Sequence, residues 1–133
     1  MPRVSIIIPC FNAAPWIEET IRSALAQTHA DREIIVIDDG STDDSLRRAR
    51  TFEPAGVRVV TQRNAGASAA RNHGLRLATG DFIQYLDADD LLAPDKIERQ
   101  LDSFPTASDA CIAAGPWGRF ETDPRSEHFV EEL

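Results

Sequence analysis

Val4-Ser5-Ile6-Ile7-Ile8-Pro9 is a short, nearly continuous apolar run, the mark of a strand covered on both faces. Glu33 to Asp38 (EIIVID) repeats that pattern and reads as a second buried strand. Between them, Pro15 suits the first turn of a helix, where its missing N–H costs nothing. Ile17, Ile21, Leu25 and Thr28, with Ala24 beside them, then fall on one stripe at helical spacing. Gly40-Ser41-Thr42-Asp43 turns the chain after the second strand, with Ser41 or Asp43 supplying capping oxygens for a helix through about Phe52. Val57 to Thr61 is a third strand. An Ala-rich helix follows from about Gly66 to Thr79, with Ala67, Ala70, Gly74 and Ala78 as a small-residue face and Gly80 as its stop. Phe82 to Leu86 is a fourth strand and runs into Asp87-Ala88-Asp89-Asp90. Pro94 opens another helix with Ile97, Leu101 and Phe104 on one side, and Asp109 to Ala114 reads as a fifth strand.

Strands alternating with helices predict an open α/β fold with a mainly parallel sheet. Ligands of such sheets bind beyond the carboxyl ends of the strands, near a switch in strand order. That rule gathers Cys10 to Asn12, Asp38 to Ser41 and Asp87 to Asp90, three segments remote in sequence, around one crevice.

The 133 residues fit one compact domain, and 42% hydrophobic with 27% charged residues reads as globular. No apolar run approaches the ~20 residues of a membrane span, and no apolar segment of secretory type follows Arg3. The expected location is the cytoplasm, or the cytoplasmic face of a membrane. Cys10 and Cys111 match no metal-ligand spacing and read as buried reduced thiols. A net charge of −8 argues against a nucleic-acid partner. It also means that an anionic ligand would need a local cation.

Asp87 and Asp89 put two carboxylates on one side of an extended segment, a hard-oxygen pair suited to Mg²⁺ or Mn²⁺ shared with a diphosphate. Like charges about 4 Å apart repel by about 4 kcal/mol at an effective dielectric of about 20, so a third carboxylate at Asp90 asks for a cation. The competing reading is an exposed acidic turn, and residue type alone does not choose. Asp38-Asp39-Gly40-Ser41 can accept hydrogen bonds from a base N–H or a ribose hydroxyl, or can simply form an Asx turn. Arg71, one turn inside the third helix, can reach a phosphate with its planar fork, or pair with a neighbouring carboxylate. Pro9-Cys10-Phe11-Asn12-Ala13-Ala14 stands where a dinucleotide fold would carry its glycine fingerprint, and no Walker loop is present.

Taken in order, VSIIIPCFNAAPWIEETIRSALAQT, EIIVIDDGSTDDS, NAGASAARNHGL and GDFIQYLDADD resemble the successive signatures of family-two glycosyltransferases with the glycosyltransferase-A fold. The resemblance covers about residues 3 to 118. It implies a nucleotide site at Pro9, Phe11 and Asn12, with Phe11 beside the base. It implies base recognition at Asp39 with Asp38 as its neighbour, and diphosphate contact at Arg71. The metal motif falls on Asp87 and Asp89, with Asp89 on the cation and Asp87 closer to the ribose. Gly66 and Gly74 are implied to be backbone and packing glycines. The implied reaction is inverting transfer of a sugar from a nucleoside diphosphate donor, UDP-linked, to the hydroxyl of a sugar, lipid or protein acceptor, with Mn²⁺ or Mg²⁺ as cofactor.

Such a reaction needs a carboxylate base. Glu121, Asp123, Glu127, Glu131 and Glu132 qualify by residue type only, and surface solvation explains each of them. The expectation is therefore a single donor-binding domain over residues 1–133, truncated before the acceptor side and inactive alone. The alternative is a non-catalytic nucleotide or sugar-nucleotide binding module. A truncated sheet would expose apolar surface and favour self-association.

Overall fold

A computed structural model describes residues 1–104 together with the backbone of Trp117–Arg119 and His128–Val130. The order is β1 (Val4–Cys10), α1 (Ile17–Leu25), β2 (Arg32–Asp38), α2 (Ser45–Arg50), a 3-10 turn (Glu53–Ala55), β3 (Arg58–Thr61), α3 (Ala67–Leu77), β4 (Phe82–Tyr85) and α4 (Lys96–Ser103). Two further strands, β5 (Trp117–Arg119) and β6 (His128–Val130), pair antiparallel with each other. The first four strands form one sheet in the order β3-β2-β1-β4, with every neighbouring pair parallel. The parallel α/β sheet expected from the sequence is thus what forms. The expected fifth strand over 109–114, with Cys111, lies outside the described residues.

The apolar runs are continuous because both faces of β1 and β2 are covered. On one face Ile6, Ile8 and Cys10 join Ile34 and Val36 under Ile17, Ile21, Ala24, Ala49 and Ile97. On the other, Ile35 and Ile37 pack against Ala70 of α3. Gly74 of the same helix lies so close to β1 that a Cβ there would stand 2.4 Å from Ile7 Cγ2. Ile6, Ile7, Ile8, Ile35 and Ile37 are fully buried, and each such side chain stabilises the fold by roughly 1.5–3 kcal/mol.

Several local expectations shift. Pro15 lies in the turn before α1, where the Trp16 and Ile17 N–H groups already donate to Ala13 O. Pro94 likewise precedes α4 by two residues. The buried stripe of α1 is Ile17, Thr20, Ile21 and Ala24. Thr28 is exposed, because the chain has left the helix and its N–H donates to Pro94 O. Gly80 does not terminate α3 through a left-handed turn, since its φ is not positive. The helix ends at an extended Ala78, and Gly80 is needed because a Cβ would sit 2.6 Å from Ser5 Oγ and 2.7 Å from Ser5 N.

The chain moves outward from β1 to β2 to β3, then returns to the other flank of β1 with β4. The reversal of strand order therefore lies between β1 and β4, and their carboxyl ends bound the crevice.

Candidate functional site

Beyond Cys10, Asn12 takes a φ of 48°, a left-handed turn that asparagine tolerates better than most residues. That turn aims its side chain at the loop after β2. Asn12 Oδ1 accepts from Thr42 N at 2.8 Å, Thr42 Oγ1 at 3.3 Å and Asp43 N at 3.3 Å. The Asn12 N–H in turn donates to Ser41 Oγ at 3.0 Å, Ala13 N to Ser45 Oγ at 2.8 Å and Ala14 N to Asp43 Oδ2 at 3.2 Å. Ser41 therefore does not cap α2. Asp43 does serve that end, accepting from the Ser45 N–H at 2.9 Å. This lacing leaves Phe11 half-exposed at the rim while Pro9 is buried in the strand. Cys10 is also buried, and that burial pushes its thiol up to about 11, so it stays a neutral packing group.

The two neighbouring aspartates after β2 part company. Asp38 ends the strand on the Cys10 side of the sheet, in register with Cys10. Its Oδ2 accepts from Ser41 N at 3.2 Å, while its buried Oδ1 has no partner among the described residues. Asp39 is equally buried but turns toward the segment that opens α3. Its Oδ1 accepts from Gln62 Nε2 at 2.8 Å and Ala65 N at 2.7 Å; its Oδ2 accepts from Gly66 N at 3.0 Å and Asn64 Nδ2 at 3.3 Å. Burial pushes this carboxyl up, but the bonds from Gln62, Ala65 and Gly66 outweigh it and hold it below the usual aspartate range. Gly40 makes the approach possible, with φ +72° and a would-be Cβ 2.9 Å from Asn64 N.

Arg71 stands on α3, whose N-cap is Gly66. Its Nη2 reaches Asp87 Oδ1 at 3.0 Å. β4 ends at Tyr85, so Asp87 to Asp90 form a turn, not the extended segment expected, closed by Asp90 N donating to Asp87 O at 3.0 Å. Leu86 and Ala88 are buried and Asp87, Asp89 and Asp90 are exposed. Thr20 of α1 pins the turn from below, its Oγ1 donating to Ala88 O at 2.9 Å. The three carboxylates offer ligand oxygens within 4.8 Å of one another. Burial, then the charges of Asp89 and Asp87, push the Asp90 carboxyl up. Asp90 therefore holds its proton more readily than an isolated aspartate does.

Asn12 is linked directly to the loop that follows Asp38, and Asp39 and Arg71 are joined through the start of α3. Arg71 then bridges to the Asp87–Asp90 turn. Thr20, Gln62 and Asn64 are site residues that residue type alone does not single out. Thr20 could have been found as the polar member of the α1 stripe, and Gln62 and Asn64 as polar groups just past the end of β3.

The sequence pattern of glycosyl transferase family 2 matches residues 5–130. An uncharacterized glycosyltransferase of Haemophilus influenzae is 45% identical over 105 residues, which are 77% of this chain and 42% of that protein. Chondroitin synthase of Escherichia coli is 43% identical over 115 residues, 84% of this chain and 17% of that protein. Among solved structures, S. aureus TarS 1-349 in complex with UDP superposes with a TM-score of 0.71 at 26% identity, over 75% of this chain and 31% of that one. A mannosyltransferase from Pyrobaculum calidifontis in complex with GDP-Man and Mn²⁺ gives a TM-score of 0.69 at 30% identity, over 79% and 33%. This chain spans less than half the length of the curated relatives it matches. Four motifs in one order, the parallel sheet that carries them and a match over nearly the whole sequence agree: the chain belongs to glycosyl transferase family 2 and has the glycosyltransferase-A type of α/β fold.

Proposed function

We propose that the chain is the donor-binding domain of an inverting glycosyltransferase that takes a sugar from a nucleoside diphosphate, with UDP as the carrier. The observation that carries this reading is Arg71 paired with the crowded Asp87, Asp89 and Asp90 carboxylates at the end of β4. A guanidinium fork and a set of hard oxygen ligands, side by side at a strand end, match the two faces of a metal diphosphate. The relatives support the assignment, since one is in complex with UDP-GlcNAc and another with GDP-Man and Mn²⁺.

Asp87 and Asp89 would hold Mn²⁺ or Mg²⁺, and Asp90 brings a third carboxylate within 4.8 Å of both. When bound, the ion supplies countercharge to the departing diphosphate. Arg71 donates its fork to the same phosphates and thereby shields charge that grows as the sugar leaves. Phe11 offers a ring face to the base and Asp39 accepts from the base edge. Asn12, through its bonds to Thr42 and Asp43, keeps the rim loops in place. Pro9 and Asp38 support this rim from the strand ends. The general base is none of the donor-site residues named above, and the acceptor would be a sugar, lipid or protein hydroxyl. Cytoplasmic location goes with this reading. No helix among the described residues is long and apolar enough to cross a membrane.

The test is calorimetric titration of the chain with UDP, with and without Mn²⁺, alongside Asp89→Ala. The expected result is binding that requires the ion and loses that requirement in the variant. Equal affinity with and without the ion refutes the metal site.

A further inference from the structure

The donor cage around Asp39 has an outer member. The side-chain amide of Gln62 bridges two groups: Nε2 donates to Asp39 Oδ1 at 2.8 Å, and Oε1 lies 2.9 Å from His73 Nδ1. Elementary acceptor chemistry fixes the protons in this chain. A carboxylate only accepts, so Gln62 must turn its NH₂ toward Asp39 and its carbonyl toward His73. A carbonyl also only accepts, so His73 must carry a proton on Nδ1. His73 stands two residues beyond Arg71 on α3.

We propose that His73 and Gln62 are positioning residues, which fix the plane of the Asp39 carboxylate and hold the 62–66 segment from which α3 starts. The functional half of this inference rests on Asp39 reading the base; the hydrogen-bond chain itself rests on geometry. The two carboxylate oxygens have about four acceptor positions, and four donors occupy them. The Ala65 and Gly66 N–H groups cannot withdraw without moving the start of α3. The Asn64 contact is the longest at 3.3 Å, so it is the one that an incoming ring N–H displaces. Gln62 must then stay in place to keep the other oxygen oriented, and the imidazole is what restrains its rotamers. A fixed acceptor of this kind favours bases with a ring N–H, such as uracil, over cytosine, whose corresponding nitrogen is itself an acceptor.

The test compares the unsubstituted chain with His73→Leu and His73→Asn, whose amide N–H can stand where Nδ1–H stood. Calorimetry with UDP, CDP and pyrophosphate, each with Mn²⁺, is run beside amide hydrogen exchange. Removing one hydrogen bond predicts that His73→Leu lowers the UDP-over-CDP preference about threefold to tenfold and speeds exchange at Ala65 and Gly66 by a similar factor. Pyrophosphate affinity and exchange in β1 stay unchanged, and His73→Asn restores both losses. Unchanged exchange at Ala65 and Gly66 in His73→Leu overturns the positioning role. So does a uniform loss for UDP, CDP and pyrophosphate. If the unsubstituted chain binds none of the three, the donor-site reading fails separately and the exchange arm alone decides the positioning role.

Discussion

The two ends of the sheet treat carboxylates in opposite ways. At the amino end, Glu33 accepts from Ser5 Oγ, Thr79 N and Thr79 Oγ1, with Arg3 3.6 Å away. Burial pushes Glu33 up, but the Ser5 and Thr79 bonds and the Arg3 charge outweigh it and hold the group below its usual range. At the carboxyl end, Asp87, Asp89 and Asp90 crowd together at the surface, and among the described residues the ion pair they make is that of Asp87 with Arg71. One end uses a carboxylate to tie β1, β2 and the end of α3 together. The other keeps carboxylates available at a cost in repulsion. Asp39 cuts across the division, because it sits at the open end and is nonetheless enclosed by donors. Position along the strands therefore does not decide a carboxylate's role; the count of donors aimed at it does.

The sharpest way to break that rule is Asp39→Ala. It leaves the Ala65 and Gly66 N–H groups and the Gln62 amide without their acceptor, while Asn64 Nδ2 keeps the Asp39 carbonyl oxygen at 3.0 Å, which predicts a loss of about 3 kcal/mol in urea unfolding. An unchanged midpoint would show that the cage contributes nothing. Glu33→Gln keeps the shape but replaces an acceptor with a donor, and should lower stability by about 1–2 kcal/mol. Its Mn²⁺-dependent nucleotide binding should match that of the unsubstituted chain, which separates the two ends functionally. Asp89→Ala should do the reverse, shifting stability by less than about 0.5 kcal/mol while removing the metal requirement.

The smallest effect concerns acid. Asp39 and Glu33 lie below their ordinary values of 3.8 and 4.5, so their stabilisation is full above those values and is lost as pH falls toward the native ones. Asp90 lies above 3.8, so its contribution runs the other way and improves as pH falls from neutrality toward that value. Thermal melts should therefore show a slight gain in mild acid before the steep loss. Asp90→Asn should abolish the gain and leave the loss; a gain that persists would place its origin elsewhere.

Most of the sheet was legible because β1 and β2 are covered on both faces and so read as unbroken apolar runs. Helix ends were less so. The period of α1 continues on paper to Thr28, whereas the backbone turns away after Leu25 to meet Pro94. The acidic turn, Arg71 and the aspartate pair could all be named from residue type and strand-end position. What residue type could not supply was the direction in which each neighbour points. Asp38 and Asp39 are adjacent, yet one turns toward Cys10 and the other toward Gly66. Ser41 looked like a helix cap and instead holds the Asn12 N–H across 29 positions of sequence. These are choices made by loops that meet only after the sheet has assembled.

Gly74 sets a height. Its missing methyl lets α3 settle onto Ile7, and Arg71 lies one turn earlier on the same helix, on nearly the same face. Adding the methyl would lift that part of α3 by about 1 Å, because a close-packed interior cannot absorb the overlap otherwise. A lift of that size would force the Arg71 side chain to readjust to keep its 3.0 Å contact with Asp87. The glycine thus works as a spacer gauge, calibrating from beneath the sheet-facing side how far a guanidinium stands from the acidic turn it never touches.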